Sequence, residues 1–170
     1  EIRTNIGELD ALVEEVLLAS RLDAQAAVFT PQPVDVISLA AEEAAQLGAE
    51  LQAVDAQLSV SGDERLLRRA LRNLLENARR YGGGEITLHA ARAHQHVELR
   101  VCDRGAGVPE ALRERIFEPF FRLPGHAERE GGVGLGLALV RQIALRHGGS
   151  VRCEAQAGGG SCFVLSLPAA

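Results

Sequence analysis

A chain of 170 residues, 46% hydrophobic and 24% charged, is long enough for one packed domain with an appended segment. Its formal charge of −5 excludes a general attraction to nucleic acid or to anionic lipid. No apolar run reaches a membrane span, and the start is not a signal peptide. The 18 basic residues are all arginine, which beside so much alanine points to a GC-rich genome rather than to a mechanism. Cys102, Cys153 and Cys162 lie in strand-like apolar runs and are expected to be reduced, buried thiols of a cytosolic protein.

Residues 1–24 read as one helix. Ile2, Ile6, Leu9, Val13 and Val16 recur at spacings of four and three, a coiled-coil seam with charges on the other faces. The helix begins at Glu1 with no cap, as if a longer helix had been cut. Residues 25–33, with Pro31 and Pro33, read as a linker. From 34 to 170 the pattern is mixed. A strand is expected at 34–37 and a helix at 38–47, ended by Gly48. Short strands follow at 51–54 and 58–60, then a long helix from about Asp63 to Tyr81 with Ser61 or Asp63 as its cap. Residues 85–90 and 97–102 alternate as a hairpin with His94 and His96 in its loop. A short helix at 110–116, an irregular stretch at 117–132 and a helix at 133–147 precede a second hairpin, 150–155 with 161–167. The predicted fold is α+β: an α/β sandwich with one mostly antiparallel sheet.

Four motifs stand out. The long helix carries Asn73, Asn77 and Arg80 as a stripe beside the buried one of Leu67, Leu71, Leu74 and Ala78, at about 100° per residue. Asparagine is a poor helix former, so two of them four apart need a reason. A hard cation such as magnesium takes amide oxygens, and an arginine further along binds phosphate. Plain solvent-facing polar residues are the alternative. Next, Asp103 ends an apolar run and is followed by Gly105, Gly107 and Val108. A carboxylate there accepts a hydrogen bond from an exocyclic amine such as adenine's and repels the carbonyl that guanine presents. An ordinary turn uses the same residues. Third, Ile116, Phe117, Pro119, Phe120 and Phe121 concentrate aromatics in a chain that has few, as an anchor for the loop after them or as a simple hydrophobic latch. Last, Gly132, Val133, Gly134, Leu135, Gly136 and Leu137 run into a helix. Glycines there expose the first N–H groups to an anion; a flexible hinge is the alternative.

In this order, the four motifs resemble the N, G1, F and G2 boxes of the GHKL ATPase superfamily, and within it the sensor histidine kinases. The resemblance runs over residues 34–168, including the closing run from Gly160 to Pro168. It implies a Bergerat-type fold with helices on one face of the sheet. It implies that Asp103 reads adenine, with Ser161 helping through a water. It implies that Asn77 ligates Mg2+ with Asn73 nearby, that Arg80 and Tyr81 contact phosphate and ribose, and that residues 118–132 form an ATP lid. ATP or ADP is the implied ligand, and a response regulator receiver domain and the parent's own dimerisation domain, as a homodimer, the implied partners.

Two departures shape the expected chemistry. Hydrolytic relatives place a glutamate one helical turn before the metal-binding asparagine, as a base for water. Asn73 stands there instead, and Glu76 points about 100° away from Asn77. The second departure is the acceptor. None of His89, His94, His96, His126 and His147 lies in the expected acceptor box. The expectation is that residues 1–24 are the second helix of a dimerisation hairpin whose first helix and histidine precede Glu1 in a parent at the bacterial inner membrane, this domain being cytoplasmic and without membrane contact of its own. A non-catalytic ATP-binding module and an anti-sigma-type serine kinase are the alternatives. Intact boxes argue against the first, and the seam and Ser20-Arg21-Leu22-Asp23 against the second.

Overall fold

The computed structural model describes residues 29–82, 84–121 and 136–170, and ahead of them Asp10, Val13, Val16 and Leu17, all in helical backbone. Val13 and Val16 of the expected seam are 53% and 45% exposed. Ile2, Ile6 and Leu9, and most of the linker, lie outside the described residues.

Strand β1 (Gln32–Asp35) lies two residues earlier than expected, because Asp35 caps a helix. Its carboxylate accepts the Ser38 N–H at 3.1 Å and the Ser38 hydroxyl at 2.9 Å, so Val36 and Ile37 join helix α1 (Val36–Leu47) rather than the strand. Gly48 ends α1 in left-handed backbone, φ 71°. Then come β2 (Glu50–Ala53), β3 (Ser59–Gly62) and α2 (Glu64–Tyr81), which is capped by Asp63. The hairpin of β4 (Thr87–Ala93) and β5 (His96–Cys102) is longer than its alternation predicted. His96 therefore belongs to β5, and the turn is only His94 and Gln95. The expected short helix is two 3-10 turns, Glu110–Leu112 and Arg115–Phe117. Helix α3 (Gly136–Arg146) leads to β6 (Ser150–Ala155) and β7 (Ser161–Pro168).

The main sheet has the order β2-β4-β5-β7-β6. Only β2 with β4 is parallel; the other pairings are antiparallel. A separate antiparallel pair joins β1 and β3. Leu67, Leu71, Leu74 and Leu75 of α2, with Leu139 and Ile143 of α3, are fully buried against Leu88, Leu99 and Leu165 of the sheet. Each buried leucine contributes about 1.5–3 kcal/mol, which is what holds the helices on this face. On the other face, Arg100 pairs with Glu154 at 3.0 Å and Arg152 with Glu98 at 3.1 Å. Both arginines flank Val164 in the register, and Val164 is fully buried.

The structure corrects the reading of the cysteines. Cys102 and Cys162 face each other across β5 and β7, with Cα atoms 4.1 Å apart, and are joined as a disulfide. Sequence spacing could not show that residues 60 apart are register partners. Cys153 alone keeps the expected buried thiol, and burial pushes it up to about 11.

Two tertiary ties were not legible either. Glu43 of α1 is fully buried and accepts from Arg72 Nη2 at 2.8 Å and from Arg68 Nη1 at 3.4 Å, fastening α1 to α2. His147, just past α3, accepts the Asp63 N–H on Nε2 at 3.0 Å, while Nδ1 faces the Ile143 carbonyl at 2.8 Å. The ring is thus the neutral Nδ1–H tautomer, and it bridges the end of α3 to the cap of α2. Burial holds its pKa below the ordinary 6.5. The unfolded chain therefore protonates first as pH drops, so stability is full above pH 6.5 and falls below it. Urea unfolding midpoints are expected to decline just under pH 6.5, and this decline to vanish in His147→Phe. The depressed carboxylates Asp35 and Glu154, whose ordinary values are 3.8 and 4.5, cause loss only at lower pH.

Candidate nucleotide site

The end of β5, the start of β7, the last turns of α2 and the first turn of α3 meet at one end of the sheet. Asp103 follows β5 and is buried. Its N–H donates to the Ser161 carbonyl at 2.9 Å. Its Oδ1 accepts the Gly105 N–H at 2.9 Å and the Ser161 N–H at 3.4 Å. Among the described residues Oδ2 has no hydrogen-bond partner. One oxygen is therefore fixed by backbone, and the other is left to accept from a ligand. Ser161, also buried, contributes its backbone directly to this carboxylate.

Gly105 has a different task from the one its spacing suggested. A Cβ there would stand 2.8 Å from both the Gly82 Cα and the Tyr81 carbonyl. Its missing side chain lets the turn close on the end of α2, where a Cβ on Gly82 would in turn strike the Asp103 side chain. Gly107 is in left-handed backbone and lies beside Gly160 and Ser161. Val108 is half-buried, and its carbonyl accepts from Arg113 Nε at 3.1 Å.

On α2, Asn73 is buried, Asn77 and Tyr81 are half-buried and Arg80 is exposed. Asn73 Nδ2 donates to the Gly136 carbonyl at 3.3 Å. This spends the amide nitrogen on protein and leaves Oδ1 as an acceptor, next to the first turn of α3. Asn77 has no side-chain hydrogen bond among the described residues, so its amide is available. Two amide oxygens suit a hard cation that keeps water and phosphate as its other ligands. Among the described residues no group of three or more His, Cys, Asp and Glu is placed to hold a metal. Gly136 and Leu137 open α3, whose N–H groups and dipole favour an anion. Gly132, Val133, Gly134 and Leu135, and residues 122–131 of the expected lid, lie outside the described residues.

The aromatic segment divides. Ile116 and Phe117 are buried, and Phe117 meets Phe163 edge-on at 6.2 Å. Phe121 is half-buried under the Arg115 guanidinium at 4.8 Å. Phe120 is 67% exposed and anchors nothing described. Sequence reasoning missed Gln156, whose Nε2 donates to the Asp103 carbonyl at 2.6 Å; a lone glutamine carries no motif. It also missed Gly82, although a glycine run ending a motif-bearing helix was a usable signal.

Residues 62–170 match the family model described as histidine kinase-, DNA gyrase B-, and HSP90-like ATPase. The adaptive-response sensory kinase SasA of Parasynechococcus marenigrum (strain WH8102) is 36% identical over 98% of this chain and 46% of its own. The mycobacterial sensor histidine kinase MprB superposes with a TM-score of 0.72 at 30% identity, over 82% of this chain and 98% of that one. Full-length ShkA in complex with AMPPNP superposes with a TM-score of 0.80 at 31% identity, over 98% of this chain and 37% of that one. The chain spans less than half the length of the curated relatives it matches.

Proposed function

The chain belongs to the histidine kinase-, DNA gyrase B-, and HSP90-like ATPase family, as an ATP-binding catalytic domain of the sensor histidine kinase kind, and from that premise we propose that it transfers the γ-phosphoryl group of ATP to a histidine on its parent's dimerisation domain. A response regulator aspartate then takes the group. The carrying observation is the pairing of a buried, half-satisfied Asp103 with an asparagine at position 73, where hydrolysis would need a base.

On this reading Asp103 Oδ2 accepts the adenine amine, while Oδ1 is held by two backbone N–H groups. Burial makes the choice of base strict, because guanine would set a carbonyl against a desolvated carboxylate. Asn73, Asn77 and Arg80 share the α2 stripe that faces the phosphates, and the first turn of α3 adds backbone N–H groups. Asn77 and Asn73 would hold Mg2+, which when bound neutralises phosphate charge. Neither asparagine can take a proton from water, so the γ-phosphoryl is kept for an acceptor. The same reading sets the domain in the cytoplasm, where ATP is, and the parent at the inner membrane. The described residues contain no helix long and apolar enough to cross a membrane.

Radiolabelled ATP tests the proposal. The chain alone is expected to gain no stable label and to release phosphate slowly. Added dimerisation domain carrying the acceptor histidine is expected to become labelled. Stable label on the chain alone would make one of its own histidines an acceptor. Rapid phosphate release would place it with the hydrolytic relatives, and no transfer to matched acceptor domains would leave a binding module.

A further inference from the structure

We propose that Cys102 and Cys162 form a reversible thiol–disulfide switch behind the adenine pocket, closed by a small-molecule disulfide and opened by a thiol reductant, and that its state sets the affinity for ATP. The proposal rests on the nucleotide reading above. It starts from register. Cys102 is the residue before Asp103, and Cys162 the residue after Ser161. Strand alternation puts both sulfurs on the sheet face away from the helices, while Asp103 and Ser161 point to the helix side. The covalent bond thus crosses the same two strands one residue behind the carboxylate, where the Asp103–Ser161 backbone bond of 2.9 Å closes the ladder.

Both states are compatible with the fold. Directly opposed residues between hydrogen-bonded pairs of an antiparallel ladder lie about 4.5 Å apart whatever their side chains are. The Cα separation here is 4.1 Å, so the two residues stay register partners when the bond is open. A domain that consumes ATP works in a reducing compartment, where a disulfide is transient and regulatory rather than permanent. The sulfurs lie on the face away from the described helices, beside the Arg100–Glu154 ion pair; Cys102 and Cys162 are 4% and 7% exposed, so a small reagent reaches them when the partly exposed Arg100 side chain moves aside. The third cysteine stays out of the exchange. Cys153 pairs with Phe163 on the helix side, and its thiol is pushed up to about 11 by burial.

The step is thiol–disulfide exchange with oxidised glutathione. One protein thiolate attacks a glutathione sulfur and expels the first glutathione thiolate, leaving a mixed disulfide. The second protein thiolate attacks the protein sulfur of that bond and expels the other. The two cysteines lose two protons and two electrons, and one glutathione disulfide leaves as two thiols. The closed bond holds the ends of β5 and β7 together and so preorganises Asp103 against Ser161. The open pair lets them move, and ATP must order them on binding.

The test is calorimetry of ATP with magnesium on the whole chain, in glutathione buffers from reducing to oxidising, with thiols counted by alkylation and mass spectrometry. The oxidised chain is expected to bind ATP about three- to tenfold more tightly than the reduced one. A variant with Cys102→Ser and Cys162→Ser is expected to bind as the reduced chain does in every buffer. Linkage requires saturating ATP to favour the disulfide by the same factor, a shift of about 30 mV for a tenfold effect. Equal affinity in the two states, or a redox midpoint that ATP does not move, would make the bond a structural staple. So would a disulfide that persists through the most reducing buffer. Loss of ATP binding in both states would remove the nucleotide site itself, and the switch with it.

Discussion

Asp103→Ala is expected to weaken ATP binding about ten- to a hundredfold, the worth of a hydrogen bond to a charged group at roughly 1.5–3 kcal/mol. Calorimetry with magnesium present measures it. Alanine also orphans the Gly105 and Ser161 N–H groups that Oδ1 now satisfies, so Asp103→Asn is the sharper variant. Those two donors require an oxygen at the Oδ1 position, which forces the new amide nitrogen into the place of Oδ2. A donor then faces the ligand, where adenine also presents a donor and guanine an acceptor. The asparagine variant is expected to lose ATP affinity and gain GTP affinity. Unchanged binding of both nucleotides would remove Asp103 from the pocket.

Asn77→Ala is expected to abolish phosphotransfer in the mixture with an acceptor domain, while the fold survives. The side chain is half-buried and makes no hydrogen bond among the described residues, so its removal costs the core little. On the proposed reading its amide anchors the cation, and phosphoryl transfer depends almost wholly on alignment and charge neutralisation. Phosphorylation of the acceptor is the readout, with the unfolding midpoint as control. A variant that still transfers at half the parental rate would take the metal role away from Asn77. Asn73 is expected to behave differently, because its amide also ties α2 to Gly136; its loss should lower stability as well as transfer.

Much of this architecture could be read from local pattern. The α2 stripe, the Gly48 stop and the two hairpins follow from periodicity and turn residues. Asp103, Asn73 and Asn77 stood out because each residue type is costly where it sits. What escaped was set by partners distant in sequence. The Asp35 cap ended a strand two residues early through its side-chain bonds to Ser38. Glu43 reads as an ordinary surface acid of α1 until Arg68 and Arg72 are seen above it. His147 was expected merely to end a helix, and its second nitrogen finds a backbone N–H 84 positions away. The cysteines were misread for the same reason: pairing depends on register, and register across a crossover is a tertiary fact.

The order of strands also governs when the pocket can exist. β7 is the last strand in chain order, yet it lies between β5 and β6 in the sheet. Asp103 waits for Ser161, which leaves the ribosome almost 60 residues later. Until then β5 has an open edge and β6 has no neighbour, and closing so long a loop is the slow part of folding. A nascent chain halted before β7 can form its early helices but has no means of recognising a base. Base recognition therefore waits on β7, and a copy that ends before it leaves the β5 edge bare.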